Sequence, residues 1–523
     1  MATSFRSGRC PTGGWGPVAL ERAVEAGAAV RRRADRLRRG AAAPVLTVAM
    51  AALLAGPPDA RALWPFTRTE DTAPGELGRE AAELLARAIR VDTTNPPGDE
   101  RPLARLYVEA LAARGIEARV VETPSDRPRR RAAAWARLPG SGAGRPVVLL
   151  SHLDVVAADA AAWSVPPFEG VVADGYVTGR GALDAKGVSV VHLLALGELA
   201  RRREPLTRDV IFLATPDEES GGVQGAGYVV RHRPDLLHDA EYVLTEGGGI
   251  LVSDEHPPVW GITVTEKAPC WMEVTARGRA GHSATAPRDA ATHRLVAALE
   301  RVRQLDTEVR VVPEVARMFR GLAPLAAPED REGFARLAAA LETDAGFRGR
   351  FLADAGRAAL VRNTLAITVL EGSPRTNVLA AEATAHLDGR ILPGERCGDF
   401  VNLVRATVAD PRVAVEPLLA FSNSASPADT ALVRAIGRVA RELDPEAVVV
   451  PRVIAGFTDA HYFRELGIAS YGFVPRWLSP EDTRGVHGRD ERISVANLER
   501  GVRTLVRILE VLSDDTAPRR SGR

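Results

Sequence analysis

From about Glu76 the chain switches repeatedly between helical and strand-like patterns of apolar residues. ELGREAAELLARAIR carries apolar residues at helical spacing and stops at the turn-rich VDTTNPPGDE; PLARLYVEALAARG predicts a second helix ended by Gly115, and IEARVVETP a strand. After Arg145 come three short, continuous apolar runs: PVVLLS, DVIFLAT at Asp209–Thr215 and EYVLT at Glu241–Thr245. Helical stretches such as VSVVHLLALGELARRR separate them. Runs of this kind predict buried parallel strands with crossover helices, because a strand covered on both faces has no polar side to alternate with. In an open sheet of that type, ligands bind outside the carboxyl ends of the strands.

From about Lys267 the pattern changes. CWMEVTARG alternates as a half-exposed strand, ATHRLVAALERVRQL is helical, NTLAITVLEG and EATAHLDGRIL alternate, DFVNLVRATV is helical and VAVEPLL is a strand. That order, β-α-β-β-α-β, predicts a small ferredoxin-like α+β unit. Residues from roughly Thr307 to Ala359 read as helical and do not belong to the minimal pattern, so they form an insertion. After about Phe421 the α/β rhythm returns through TALVRAIGRVARELD, EAVVVPRV, GIASYGFV and ANLERGVRTLVRILEVLS. The expected fold class is therefore α/β: a mostly parallel sheet with flanking helices, interrupted by a smaller α+β ferredoxin-like lid domain. The expected division is a catalytic domain over 76–266 and 421–513, a lid or dimerisation domain over 267–420 with its insertion at about 307–359, and a disordered tail over 514–523.

Composition adds little to this picture and removes one option. A net charge of +1 gives no field to attract nucleic acid. Of the three cysteines, Cys10, Cys270 and Cys397, none sits in a CxxC pair, and the plainer expectation is three unremarkable small residues. A Cys270–Cys397 disulfide is the alternative if the protein is exported. Upstream of the fold, RRRADRLRR at Arg31–Arg39, an apolar run from Ala41 to Gly56 and Ala60-Arg61-Ala62 follow the layout of a signal peptide. Residues 1–62 are therefore expected to be a cleaved signal peptide or an uncleaved N-terminal membrane anchor, with the folded part secreted or periplasmic. A basic tail with a chance apolar run is the plainer alternative.

Each predicted strand end delivers a polar cluster. His152-Leu153-Asp154 follows PVVLLS, Asp217-Glu218-Glu219-Ser220-Gly221-Gly222 follows DVIFLAT, and Glu246-Gly247-Gly248-Gly249 follows EYVLT. Asp184 lies in GRGALDAKG, and His487 in RGVHGRDERI. Imidazole nitrogen and carboxylate oxygen are the ligands zinc accepts when thiolate is absent. Two histidines and three carboxylates exceed one tetrahedral ion but suit two ions if one carboxylate bridges. Adjacent Glu218 and Glu219 offer a ligand and a free base between them. Asp154 is placed to accept the second imidazole N–H of His152. Singly, each residue is more often a cap or a solvated turn; their joint fall at strand ends is what points to chemistry.

SHLDVV, GRGALDAKG, PDEESGG, TEGGG and GVHGRDE together resemble the ordered metal motifs of the zinc peptidases that include carboxypeptidase G, the aminoacylases and carboxypeptidase S. The likeness runs from VDTTNPPG to the last helix. WSVPPFEG and YGFVPRWLSPEDTRGVHGRDERISV are most similar to the carboxypeptidase S branch, which includes secreted N-acyl amino acid hydrolases. The resemblance implies two zinc ions (cobalt or manganese being alternatives), bridged by Asp184, with His152 and Glu246 at one and Glu219 and His487 at the other. It implies Glu218 as general base and Asp154 as the orienting acid. It also implies that His282 in GHSATAP, Asn377 in RTNV and Arg390 in DGRILPG hold the substrate, a small peptide or N-acyl amino acid with a free carboxylate, and that the lid domain supports a homodimer. Ala185 departs from the family pattern, in which an acidic residue often follows the bridging Asp with a cis peptide.

Plainer readings stand beside these. His282 fits a turn, Arg390 fits an ion pair with Asp388, and Asp459 fits either a loop near the site or the N-cap of AHYFREL. His192, His232, His238, His256, His293, His386 and His461 read as structural. Two other functions compete with the hydrolase: a biosynthetic deacetylase or desuccinylase of a small amino acid derivative, and a binding protein on an inactive scaffold.

Overall fold

Parallel strands buried on both faces build the centre of the molecule, as seen in a computed structural model that describes residues 75–125, 130–202 and 204–514. The expected signal peptide or anchor over 1–62, Cys10 and the tail beyond residue 514 lie outside the described residues; Asp514 itself closes the last helix, Val495–Asp514. The strands of the first stretch are β1 (Glu117–Glu122), β2 (Ala132–Leu138), β3 (Val147–His152), the short pair β4 (Val171–Ala173) and β5 (Tyr176–Thr178), β6 (Val210–Thr215), β7 (Tyr242–Thr245), β8 (Gly249–Leu251) and β9 (Val259–Glu266). The second stretch holds β10 (Ala268–Arg277), β11 (Gly281–His282), β12 (Thr364–Glu371), β13 (Val378–Leu379), β14 (Glu382–Ile391) and β15 (Val413–Ala420). The last holds β16 (Val448–Ile454), β17 (Ala469–Gly472), β18 (Trp477–Leu478) and β19 (Arg492–Ser494).

Strands of the first and last stretches merge into one ten-stranded sheet of order β1-β2-β6-β3-β7-β17-β9-β8-β18, with β16 also paired to β9. Its middle, β6-β3-β7-β17, is parallel throughout. Every residue of β3, β6 and β7 is buried, which is why each reads as an unbroken apolar run. The helix Lys186–Ala200 lies against this sheet and is buried on nearly all sides. The amphipathic helices Glu76–Ile89 and Val495–Asp514 cover it in turn. No helix among the described residues is long and apolar enough to cross a membrane.

The middle stretch forms a separate four-stranded antiparallel sheet, β12-β14-β10-β15. With helices Ala291–Arg303 and Cys397–Val408 packed on it, this is the ferredoxin-like order. Cys270 on β10 and Cys397 at the start of the second helix are joined as a disulfide across a Cα–Cα distance of 5.3 Å, which corrects the expectation of unremarkable cysteines. They are 127 residues apart in sequence, and only the packing of helix on sheet makes them neighbours.

The insertion is helical from Pro313 to Leu360. Although it interrupts the sequence of the smaller unit, its aromatic core of Phe319, Phe334, Phe347 and Phe351 packs with Val450 and Val453 of β16, on the larger sheet. Lys267, at the crossing between the two sheets, is buried and donates to the carbonyls of Ala359 and Arg362 at 3.0 and 2.8 Å and to Thr364 Oγ1 at 3.0 Å. That clip holds the end of the insertion to the start of β12.

Candidate dinuclear metal centre

The three adjacent strands β6, β3 and β7 run parallel, so their carboxyl ends open on the same rim. His152 is the last residue of β3, Glu218 and Glu219 follow β6 by three and four residues, and Glu246 follows β7 directly. Asp184 arrives on the loop between β5 and the buried helix Lys186–Ala200. His487 arrives on the loop before β19, and β19 pairs with β5. A short side sheet therefore brings together two loops some three hundred residues apart in sequence.

Glu491 fixes that meeting. Its Oε1 accepts from the backbone N–H groups of Leu183 and Asp184 at 2.7 and 2.9 Å, and its Oε2 accepts from Gly181 N and Arg180 Nη1 at 3.0 and 2.7 Å. Arg180 also donates to Gly488 O at 2.8 Å. The Asp184 loop and the His487 loop are thus laced by one fully buried ion pair. The Asp184–Ala185 peptide is cis. His487 sits in the left-handed region at φ 55°.

Asp184 divides its two oxygens: Oδ1 lies 3.0 Å from His152 Nε2 and Oδ2 lies 3.1 Å from His487 Nε2. Glu246 Oε1 is 3.5 Å from His152 Nε2, and Glu219 Oε1 is 3.1 Å from His487 Nε2. The five residues read from the sequence as ligands are therefore in one cluster, with Asp184 between the two histidines. Glu218 is within reach of His152 and Glu246 as well, in a group whose donor atoms all lie within 4.8 Å of one another.

The His152 ring donates from Nδ1 to the Asp154 backbone carbonyl at 2.9 Å. The Asp154 carboxylate is 3.7 Å from that nitrogen, too far for the hydrogen bond expected from the sequence. It accepts instead from the backbone N–H groups of Glu218 and Glu219, both at 3.1 Å, and from Asn95 Nδ2 at 2.7 Å. Asp154 therefore orients the glutamate pair, while its main chain orients the histidine. Behind it, Arg131 donates to Asn95 Oδ1 at 2.7 Å and to Glu100 at 2.9 Å, and lies 3.1 Å from Asp217 Oδ1. All four side chains of that support are buried.

With Nδ1 carrying the proton, Nε2 of His152 presents a lone pair to carboxylate oxygens, and two acceptors face to face need a cation or a proton between them. Two ligands each about 2.0–2.1 Å from a tetrahedral zinc stand about 3.3 Å apart, close to the separations found here. Burial raises Glu218 well above the usual carboxylate range, aided by the charge of Glu246, and raises Glu246 to about 7. Burial also raises Glu219. Burial opposes ionisation of Asp184, but the His152 and His487 imidazoles beside it hold it well below the usual carboxylate range. Buried and half-buried acids gathered this closely are the electrostatic signature of a cation site. The donor set fits two ions of zinc type.

Asp459 belongs to this cluster rather than to a cap. It makes no side-chain cap bond; its Oδ2 accepts from Thr215 Oγ1 at 2.9 Å, and burial raises it well above its usual range. His282 and Asn377 are brought together elsewhere, on the smaller unit: His282 pairs with Val378 in the β11–β13 ribbon, and Ser283 N donates to Asn377 O at 3.2 Å. Both are exposed. Arg390 is buried and its fork is filled, Nε and Nη2 donating to the two oxygens of Asp388 at 2.7 and 3.1 Å. In this conformation the expected carboxylate grip is closed, and the ion pair weighed as the plainer reading is the arrangement found.

Sequence reading passed over Asn95, Glu100, Arg131, Asp217 as a supporting acid, Arg180 and Glu491. Glu491 ends the GVHGRDE motif and Asn95 precedes two prolines, so both had a local signal. Arg131 and Glu100 had none.

Peptidase family M20/M25/M40 matches residues 148–511. The N-fatty-acyl-amino acid synthase/hydrolase PM20D1 of Xenopus tropicalis is 30% identical over 390 residues, covering 71% of this chain and 73% of that protein. The probable carboxypeptidase S-like 2 of Dictyostelium discoideum is 26% identical over 365 residues, covering 68% and 69%. Among solved structures, the M20 family metallo-carboxypeptidase Sso-CP2 of Sulfolobus solfataricus superposes with a TM-score of 0.65 at 18% identity, covering 83% of this chain and 99% of that one.

Proposed function

The chain belongs to peptidase family M20/M25/M40, a family of hydrolases, and from that premise we propose that it is a two-zinc amidohydrolase cleaving an amide bond beside a free carboxylate, with N-acyl amino acids as the substrate class. The observation that carries this reading is Asp184, whose two oxygens are shared between His152 and His487 at the rim of a parallel sheet while Glu218 stays close by. The fatty-acyl amino acid relative supports an acyl substrate over a plain dipeptide.

In this reading Asp184 would be shared by the two ions, His152 and Glu246 would help hold one, and Glu219 and His487 the other. When bound, the zinc pair supplies Lewis acidity at the scissile carbonyl and lowers the pKa of water. Glu218 takes the proton of the attacking water and returns it to the leaving nitrogen. Asp154 holds Glu218 and Glu219 through their backbone N–H groups, so base and ligand share one support. His282 and Asn377 would hold the substrate from the smaller unit; Arg390 would join them only after leaving Asp388. Homodimer formation through β12 fits its exposed Ile367, Val369 and Leu370. Export fits the Cys270–Cys397 disulfide.

The test is hydrolysis by zinc-loaded protein of a dipeptide, an N-acetyl amino acid and a long-chain N-acyl amino acid, the last also with its carboxylate blocked as a primary amide. The reading expects the long-chain free acid to be cut fastest and its amide poorly. Equal rates on free acid and amide would make this a general amidase.

A further inference from the structure

Three fully buried acids, Glu100, Asp154 and Asp217, lie behind the metal centre, with the buried guanidinium of Arg131 among them. Arg131 Nη1 donates to Glu100 Oε1 at 2.9 Å and stands 3.1 Å from Asp217 Oδ1. Its Nη2 donates to Asn95 Oδ1 at 2.7 Å and to Pro97 O at 3.1 Å. Asn95 passes the contact on, its Nδ2 donating to Asp154 Oδ2 at 2.7 Å. One guanidinium thus serves three carboxyl groups withdrawn from water. Buried charge in that ratio is costly unless a proton neutralises one of the acids.

The hydrogen bonds say which acid holds it. Asp154 accepts on both oxygens, Oδ1 from Glu218 N and Oδ2 from Glu219 N and Asn95 Nδ2. Asp217 is ion-paired with Arg131 at Oδ1 and accepts from Gln224 N at 2.8 Å on Oδ2. Glu100 meets Arg131 at Oε1, but its Oε2 is buried with no hydrogen-bond partner among the described residues. A donor or cation at both oxygens favours a carboxylate, whereas a bare buried oxygen favours the neutral acid. The charged residues on either side in the chain are taken elsewhere: Asp99 pairs with Arg130 at 2.6 Å and Arg101 with Glu122 at 2.7 Å. Gly98 packs against the pair, since a Cβ there would stand 2.6 Å from Glu100 Oε1 and from Arg131 Cζ. Burial pushes Glu100 up to about 8, with the charges of Asp154 and Asp217 adding to the rise and that of Arg131 opposing it.

We propose that Glu100 is held as a neutral carboxylic acid and acts, through Arg131, as a positioning residue for the Glu218–Glu219 turn. The route is continuous. Arg131 holds Asn95, Asn95 holds the Asp154 carboxylate, and that carboxylate holds the backbone N–H groups of both glutamates. When Glu100 gives its proton to solvent, a further negative charge appears in the cluster and draws on the same guanidinium. The hold on Asn95, and with it the hold on the turn, then slackens. The effect on turnover rests on the amidohydrolase reading; the proton on Glu100 does not.

The experiment compares zinc-loaded wild type, E100Q and E100D. Glutamine copies the neutral acid, with an oxygen for Arg131 and an N–H in place of the O–H, whereas aspartate still titrates. Chemical denaturation from about pH 5 to about pH 9 reads the proton. Between the ordinary glutamate value and about 8, folded wild type keeps a proton that the unfolded chain releases, so its stability falls as pH rises. The E100Q midpoint should therefore gain on the wild-type midpoint up to about pH 8 and keep a constant lead above it. Turnover reads the positioning. For a long-chain N-acyl amino acid, kcat should fall about tenfold from about pH 7 to about pH 9 in wild type, and by no more than about twofold in E100Q. E100D should keep a fall like that of wild type. A midpoint difference between wild type and E100Q that is the same at every pH overturns the assignment, as does an E100Q that fails to fold where E100D folds. Equal falls of kcat in wild type and E100Q overturn the positioning role. A wild type that cuts no such substrate at any pH sinks the amidohydrolase reading, and the midpoints then decide the proton on Glu100 by themselves.

Discussion

At the scale of single residues, adjacent glutamates with the same chemistry are separated by what surrounds them. Glu218 and Glu219 both hang from Asp154 through their backbones, yet Glu219 faces His487 while Glu218 makes no side-chain hydrogen bond to either histidine. Burial and the nearby Glu246 charge keep Glu218 avid for a proton. Glu218→Gln preserves shape and removes the proton acceptor. It should therefore retain two metals per chain by elemental analysis while kcat falls about 10²–10⁴-fold. Loss of one metal in that variant would make Glu218 a ligand. The local motif was enough to nominate the pair, but the histidine next to each was decided by loops that meet only in the folded chain.

At the scale of elements, the alternation of patterns reported burial faithfully where neighbours in the sheet were uniform. β3, β6 and β7 were legible because both faces are covered. β2 was not: AAAWARL is alanine-rich, and alanine has no preference for a pleated surface. It becomes a strand because it pairs with β1 on one side and β6 on the other. The insertion was legible as helical, but its partner was not, since an apolar helix face does not say which sheet it will cover. Lys267 is the joint between the insertion and both sheets. Burial lowers it to about 7, and its three acceptors are the compensation. Lys267→Met leaves two carbonyls and a hydroxyl without that donor and should lower stability by about 1–3 kcal/mol in chemical denaturation. An unchanged midpoint would mean water replaces the ammonium there.

At the scale of the whole molecule, the metal centre is where distant parts of the chain are held together. Residues 152, 184, 219, 246 and 487 meet in one cluster of buried and half-buried acids and imidazoles, and like charges so close oppose folding unless cations sit among them. Metal binding is then part of the folding free energy. Dialysis against a chelator should lower Tm by several degrees together with activity, and titrating zinc back should restore both with a break at two equivalents. A break at one equivalent, or a Tm indifferent to chelation, would contradict a coupled pair.

By itself, the order of patterns determined the α/β class, the interruption by an α+β unit, and the strand ends where His152, Glu219 and Glu246 stand. Those are local properties: the period of apolar residues reports how a segment is covered, and the carboxyl end of a buried strand is where its chain must turn. Asp184 and His487 were visible as motifs, but their sharing of one carboxylate was decided by β5 pairing with β19 and by Glu491 bonding to both sides of that meeting. The same holds for Arg390 closing on Asp388 and for Cys270 beside Cys397. Each depends on which side chains become neighbours across hundreds of residues, and only strand register and helix packing set that.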